Sequence, residues 1–141
     1  MIDRTNKLLQ FAHTFLQYSM DRLGFKGTDP AMRCRGMQFK IGIVHRHNSK
    51  LEMCNSGFHF CSQLTDVHYY YPFFTSRVFI VQHGAHVLHG GEKSVTNEIL
   101  FLHEITAATV HELMAAPEYK TLMCDNLWGL IWLFAAKDDD D

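Results

Sequence analysis

RVFIVQ at residues 77–82 and EILFLHEI at residues 98–105 are the segments from which the fold is most clearly predicted. Both are short runs of large apolar and β-branched residues, a composition typical of buried strands. Turn-forming residues such as Gly90-Gly91 separate them, and no long helical pattern lies between. Because parallel strands need a long crossover connection, these segments predict a largely antiparallel sheet.

Helical patterns lie on both sides of this strand-rich middle. Residues 5–23 repeat apolar side chains at three- and four-residue steps, with Gly24 as the predicted C-terminal cap. A short helix ending before Pro117 and a longer helix beginning there are predicted after the strands. The predicted fold class is therefore α+β, with a central, mostly antiparallel sheet flanked by N-terminal and C-terminal helices.

The segments between the N-terminal helix and the central strands give weaker patterns. Residues 24–30 are rich in Gly, Pro and Asp and are predicted to form a connector. Residues 33–41 alternate in a way that suggests a strand with one apolar face. Residues 64–71 are predicted to form one or two helical turns stopped by Pro72.

The composition indicates one ordinary globular domain. The 141 residues fit a single domain over 1–137, with an acidic, disordered tail at 138–141. A formal charge of −2 gives no field for nucleic acid, so binding would need a local basic patch. The clustered basic residues are Arg33, Arg35, Lys40 and Arg46. We expect no nucleic-acid partner.

Membrane and export signals are not apparent in the sequence. The longest apolar stretch, 127–136, is about half the length of a membrane span. The first residues show no signal-peptide pattern. The cysteines have no framework spacing and are interpreted as reduced thiols. We therefore expect no membrane partner and a cytoplasmic location.

Three thiols and an imidazole lie close together and would suit zinc. These residues are Cys34, Cys54, His59 and Cys61. Six residues separate Cys54 from Cys61, a spacing longer than that of structural zinc sites. Buried free cysteines are the alternative, and the spacing favours them over zinc. Cys61 beside His59 is also the pair suited to nucleophilic catalysis.

Three stretches resemble a family of small uncharacterised proteins in bacteriophages and bacteria. They are MRCRGMQFKIG (32–42), LEMCNSGFHFCSQLTDVHYYYP (51–72) and EKSVTNEILFLHEI (92–105). The residues that carry the resemblance are Cys34-Arg35-Gly36, Cys54, Gly57-Phe58-His59, Cys61 and Tyr70-Tyr71-Pro72. That family has no established activity. The resemblance implies a phage- or bacterium-related protein with its shared core at 27–105.

The order of elements is also similar, more loosely, to that of ADP-ribosyltransferase-like domains. This resemblance implies NAD as the cofactor, because these domains bind it between a strand arginine and an aromatic side chain. The residues implied to bind the cofactor are Arg35, Gly36, Phe58 and Tyr70. Arg35 would hold the pyrophosphate bidentately, which a guanidinium does well. Phe58 or Tyr70 would stack on the nicotinamide ring.

The same resemblance implies a catalytic set of Arg35, His59 and Glu98. Glu98 would hold the ribose and stabilise the developing oxocarbenium ion. The sequence departs from the family where Phe-His-Phe-Cys-Ser replaces the expected Ser-Thr-Ser or Tyr motif. Only one Glu precedes Ile99, without the paired acid of arginine-modifying relatives. A fold that has lost catalysis is therefore an alternative outcome.

A non-enzymatic role is the rival hypothesis. The predicted C-terminal helix is apolar over much of its circumference, because Trp128 and Trp132 widen its stripe. Such a helix is either buried centrally or faces a partner. We therefore weigh a host-factor-binding or inhibitor (anti-defence) protein with a host protein as its target. A homodimer through residues 118–134 is the related possibility.

Overall fold

A computed structural model of the protein describes residues 22–138. The strands are β1 Leu23–Thr28, β2 Arg33–Cys34, β3 Met37–Gln38, β4 Val44–Arg46, β5 Phe58–Phe60, β6 Arg77–His83, β7 Val87–His89, β8 Ser94–Thr96 and β9 Glu98–Glu104. The helices are α1 Leu64–Val67, α2 Val110–Ala115, α3 Lys120–Asp125 and α4 Leu127–Asp138. Strands and helices are both present in quantity, which confirms the predicted α+β class.

The central layer is a four-stranded sheet in the order β1-β6-β9-β4. A three-stranded sheet, β5-β8-β7, and the β2-β3 hairpin lie beside it. Every ladder between these strands is antiparallel, as the short connections predict. Phe25 and Cys61 join the two sheets through paired backbone hydrogen bonds of 2.7 and 2.8 Å.

Side chains alternate between the two faces of the central sheet along each strand, and both faces are covered by other parts of the protein. One face packs against the helices, and its buried residues in the two middle strands are Val78, Ile80, Leu100 and Leu102. The opposite face packs against β5 and the hairpin, and its buried residues in the same strands are Phe79, Val81, Ile99 and Phe101. The apolar runs that predicted β6 and β9 therefore reflect burial on two sides.

The start of the described chain differs from the sequence-based prediction. Leu23 and Gly24, predicted as the end and cap of a helix, lie in β1, and so does most of the predicted connector at 24–30. Gly24 is needed in the strand, because a Cβ there would lie 2.8 Å from Cδ2 of Phe60. Residues 5–21 of the predicted N-terminal helix lie outside the described residues, and Arg22 is not helical.

The predicted single helix beginning at Pro117 is two helices, α3 and α4. The break falls at Asn126, whose buried side chain accepts a 2.8 Å hydrogen bond from the backbone N–H of Leu64. Its amide donates a 2.9 Å bond to the carbonyl of Leu122. Asn126 thus ties the start of α1 to the end of α3, a tertiary contact that periodicity does not reveal.

Helix α4 is buried along one stripe and not all round. Its large exposed apolar residues are Leu127, Trp128, Ile131 and Trp132. Central burial, one of the two predicted alternatives, is therefore wrong. The helix continues to Asp138, the first residue of the predicted tail, and residues 139–141 lie outside the described range. Between residues 22 and 138, no helix has the length and apolar character that crossing a bilayer requires.

Candidate functional site

A cavity of about 580 Å³ lies between β1, the β2-β3 hairpin and β5. This volume is in the range of small-molecule sites. The cationic side chains in its lining are Lys26, Arg35, Arg46 and Lys93. The aromatic side chains in its lining are Phe25, Phe39, Phe58, Phe60, Tyr70 and Tyr71. None of the described residues that line it is Asp or Glu, so the cavity combines positive charge with aromatic walls.

Lys26 is the most deeply placed of these cations. It pairs with Phe79 in the β1-β6 ladder, and its side chain is only 4% exposed. Its ammonium donates a 2.5 Å hydrogen bond to the carbonyl of His59 and lies 3.7 Å from Sγ of Cys34. Burial lowers the pKa of Lys26, because no carboxylate in the cavity lining offsets the loss of water. A bound anion would supply that missing charge.

Arg35 occupies a tight turn and not a straight strand. In the stretch 33–41, predicted as one strand, residues 33–38 form the β2-β3 hairpin, in which Cys34 pairs with Met37. Arg35 and Gly36 form the two-residue turn, with φ of 54° and 79°. Two positive φ values define the type I′ turn that matches strand twist. An arginine is uncommon in this conformation, which presents its guanidinium at the cavity edge.

His59 lines the cavity but its ring is engaged by the backbone. The N–H of Cys54 donates a 2.8 Å hydrogen bond to Nε2 of His59. Burial lowers the pKa of His59 to about 4, and the positive charges of Lys26 and Arg35 add to the effect. The imidazole is therefore neutral at pH 7 and holds the loop before β5. Its predicted catalytic role stays a prediction.

Glu98 does not line the cavity, although Arg35, Phe58, His59 and Tyr70 do. It begins β9, and its carboxylate oxygen lies 3.6 Å from Nε of Arg46. Arg46 itself lines the cavity. Of the predicted cofactor-binding residues, Arg35, Phe58 and Tyr70 are thus brought together, whereas Gly36 lies outside the cavity lining. The predicted catalytic acid is one ion pair away from them.

The cysteines of the predicted zinc set separate into different environments. Cys34 and Cys61 line the cavity, whereas Cys54 is exposed outside its lining. Within residues 22–138, no three or more His, Cys, Asp or Glu side chains are grouped to hold a metal ion. Burial raises the pKa of the Cys61 thiol to about 12, so it is protonated at neutral pH. None of the four cysteines is in a disulfide.

Lys26 and Lys93 are cavity residues that sequence reasoning missed. Lys26 falls in the predicted connector, and the signal would have been a single charge within a segment of otherwise uncharged residues, Leu-Gly-Phe-Lys-Gly-Thr. Lys93 follows Gly90-Gly91 in a turn without the features of a phosphate loop. Its ammonium lies 4.6 Å from the ring centroid of Tyr70. That contact joins sequence positions whose proximity only the fold establishes.

The chain belongs to the family described as Domain of unknown function (DUF7666), whose model matches residues 22–113. The matched range includes every residue that lines the cavity, and it ends before α3 and α4. No curated protein and no solved structure gives a significant match to the chain. The family description names no activity, so the likeness to ADP-ribosyltransferase-like domains stays a prediction.

Proposed function

We propose that this member of the DUF7666 family binds an anionic small molecule with a flat ring, with NAD and related nucleotides as the leading class. The observation that carries the proposal is the composition of the cavity: four cationic side chains, six aromatic ones and no carboxylate. An anionic group gains from the cations, and a flat ring gains from the aromatic walls. Nucleotides carry both.

The cations are graded in depth, which suits a ligand with more than one negative group. Lys26 is buried, Lys93 is half-buried and Arg35 is exposed. A guanidinium binds two phosphate oxygens at once, while an ammonium acts as a compact point charge. We therefore assign the pyrophosphate to Arg35 and Lys93, and a further anionic or strongly polar group to Lys26.

Tyr70 supports ring stacking better than Phe58 does. Phe58 is buried and its ring packs edge-on against Phe39, with centroids 5.7 Å apart. Tyr70 is exposed, lines the cavity and has Lys93 over its ring. An exposed tyrosine ring in the cavity wall is easier for a ligand ring to reach than a buried phenylalanine ring. Of the two predicted stacking residues, Tyr70 is therefore the one that we propose for the ligand ring.

Transfer of ADP-ribose is the finer proposal. It requires a carboxylate near the ribose as the bond to nicotinamide breaks. Glu98 is the acid proposed for this step, and its ion pair with Arg46 places it behind a cavity side chain. With the pyrophosphate on Arg35 and Lys93, transfer would require the Glu98 carboxylate to leave Arg46 and enter the cavity.

Binding is tested by isothermal titration calorimetry with NAD, ADP-ribose, AMP and adenosine. We expect the three phosphate-bearing ligands to bind and adenosine to bind at least about tenfold more weakly, since one charge-assisted hydrogen bond contributes about 1.5–3 kcal/mol. Affinity should fall as salt is added. Equal binding of AMP and adenosine would rule out an anion site.

Arg35→Asn is the sharpest variant for this test. Asn-Gly is the preferred sequence for a type I′ turn, so the hairpin should keep its shape while the guanidinium is lost. We expect about a tenfold loss of NAD affinity, one charge-assisted contact. Arg33→Ala is the matched control, because Arg33 is exposed on the same hairpin and does not line the cavity. An equal loss in both variants would contradict the proposal.

Transfer is tested separately with NAD labelled in its ADP-ribose part and a cell lysate. Glu98→Gln should abolish label transfer and keep NAD binding, because Glu98 lies outside the cavity lining. Transfer that persists in Glu98→Gln would remove Glu98 from the mechanism. Binding without any turnover would leave the protein as a nucleotide-binding module.

Association through α4 is a second candidate function. The observation that favours it is the exposed apolar side of that helix, where Trp128 and Ile131 are 73% and 59% exposed. Soluble monomers seldom expose such a contiguous patch. We propose that a second copy of the chain covers this apolar side of α4, in a homodimer formed through residues 118–134. Light scattering should give twice the 16.3 kDa chain mass, and Ile131→Glu should restore the monomer.

A further inference from the structure

The four cysteines of the chain differ in ways that bear on their reactivity. Cys54 and Cys124 are exposed and lie outside the cavity lining. Cys61 is buried, and burial raises the pKa of its thiol to about 12. Cys34 is half-buried and lines the cavity. It therefore combines access from the cavity with a defined polar environment.

Two polar groups contact the sulfur of Cys34, and in the contact with Tyr71 either atom can be the donor. The ammonium of Lys26 lies 3.7 Å from Sγ, and the hydroxyl of Tyr71 is hydrogen-bonded to the same atom. Burial and this contact raise the pKa of Tyr71, so its phenol keeps its proton at neutral pH. The sulfur of Cys34 thus lies next to a positive charge and a phenol hydroxyl.

The surroundings of Cys34 also attract negative charge. Arg35 follows it in the chain, and Lys26 and Lys93 line the same cavity. A cleft with one sign of charge and low-dielectric walls raises the local concentration of oppositely charged molecules. Reactive cysteines occur in partly exposed, electropositive environments of this type.

We propose that Cys34 is a modification site, alkylated selectively by small electrophiles that carry a negative charge. The probe reaction is displacement on iodoacetate. Sγ forms a bond to the methylene carbon, the carbon–iodine bond breaks, iodide leaves with the bonding pair, and the thiol proton passes to buffer. The reaction needs no oxidant or reductant. It does not require that a nucleotide be the natural ligand of the cavity.

The test compares iodoacetate with its neutral analogue iodoacetamide on the full chain. Alkylation rates at each cysteine are followed by mass spectrometry of peptides, and the ratio of the iodoacetate rate to the iodoacetamide rate is calculated for each site. We expect this ratio at Cys34 to exceed that at Cys54 and Cys124 by about tenfold, the lower end of the effect of a focused charged cleft. Equal ratios at the three sites would overturn the proposal.

Variants separate the electrostatic cause from simple accessibility. Arg35→Asn and Lys26→Met should each lower the Cys34 ratio severalfold, whereas Arg33→Ala should leave it unchanged. Arg35→Asn suits the turn, so it keeps the test decisive if Lys26→Met does not fold. Circular dichroism establishes that each variant is folded. A Cys34 ratio that stays at the wild-type value in folded Arg35→Asn would also overturn the proposal.

Discussion

The two faces of the central sheet come from the same strands yet serve different ends. On the helix face, Ile80 and Leu100 are sealed beneath α1, α3 and α4 in an apolar cluster. On the other face, Phe79 and Phe101 lie beneath β5 and a short hairpin, next to a cationic cavity. The helices close over the sheet mainly with apolar side chains, and the buried Asn126 is satisfied by hydrogen bonds to Leu64 and Leu122. The smaller sheet and hairpin leave room for a ligand and bring polar side chains to it.

The comparison indicates where stability and binding can be changed independently. Helix-face residues contact other apolar side chains, so their replacement should change folding only. The cavity face includes Lys26, an ammonium that folding removes from water. We therefore expect its replacement to weaken binding without a matching loss of stability.

The largest effect is expected on the helix face. Leu100→Ala should lower the free energy of unfolding by about 2–5 kcal/mol, the usual cost of truncating a buried leucine. Leu88→Ala is the matched control, because Leu88 is 44% exposed, and it should change stability by less than about 0.5 kcal/mol. Urea unfolding followed by circular dichroism measures both. Similar losses in the two variants would mean that the two-face description is wrong.

On the cavity face, Lys26→Met should separate binding from stability. Loss of the buried cation should weaken NAD binding by about tenfold or more, the cost of one charge-assisted contact. The free energy of unfolding should stay the same or rise, because an apolar side chain replaces a buried charge. Calorimetry and urea unfolding give the two numbers. A fall in stability with unchanged NAD affinity would show that Lys26 supports the fold and not ligand binding.

The pH dependence of Lys26 gives an independent check in alkaline solution. Because the folded-state pKa lies below the ordinary value of 10.5, the unfolded chain binds more protons between the two values. The stability of the wild type relative to Lys26→Met should therefore rise with pH through this window and level off above about pH 10.5. A flat difference would show that Lys26 keeps an ordinary pKa.

His59 should make the free energy of unfolding depend on pH in acid solution. Its folded pKa is about 4 and its ordinary value is 6.5, so the unfolded chain takes up the proton first as pH falls. Stability should therefore be fully present above pH 6.5 and be lost progressively down to about pH 4. His59→Gln, whose amide oxygen can accept from Cys54 N–H, should show a smaller loss in urea titrations across this range. Identical pH profiles would contradict the buried, neutral imidazole.

The smallest effect is expected at the pair of Arg46 and Glu98. Their side chains are 65% and 36% exposed, so Glu98→Gln should change stability by less than about 1 kcal/mol. Arg77→Gln is the contrast, because two atoms of Arg77 contact both carboxylate oxygens of Glu104, at 3.1 and 2.7 Å. We expect the larger loss there, measured by urea unfolding. A larger loss at Glu98 would indicate that its ion pair supports the cavity wall.

Local patterns predicted part of the fold well. β6 and β9 were predictable because their apolar runs are strong, and α2 ends at Ala115, before Pro117, as expected. The helical turns predicted over residues 64–71 are shorter than expected, because α1 ends at Val67. The prediction of Gly24 as a helix cap is wrong, because the sequence alone does not distinguish a glycine in a strand from one at a helix end. Only its close approach to Phe60 distinguishes them. The break at Asn126 depends on a hydrogen bond to Leu64, far away in sequence.

The candidate site was predictable in part for the same reason. Arg35, Phe58, His59 and Tyr70 were selected from a resemblance, and the fold brings them to one cavity. Glu98 stands apart because it starts β9, where the register with β4 places it opposite Arg46. Register is a property of strand pairing. The sequence of one strand therefore does not predict which residue of the neighbouring strand will lie opposite.

By itself, the sequence determined which segments are apolar, how short their connections are and hence an antiparallel α+β fold. Hydrophobic alternation and turn-forming residues such as glycine and proline act over a few residues, so the sequence shows them directly. Tertiary structure alone decided which charges share a cavity. Lys26, Arg35 and Lys93 are distant in sequence. They line one cavity because the strands pair and the bridge between Phe25 and Cys61 joins the two sheets. Their electrostatics depend on distance in space and on the exclusion of water, which position along the chain does not fix.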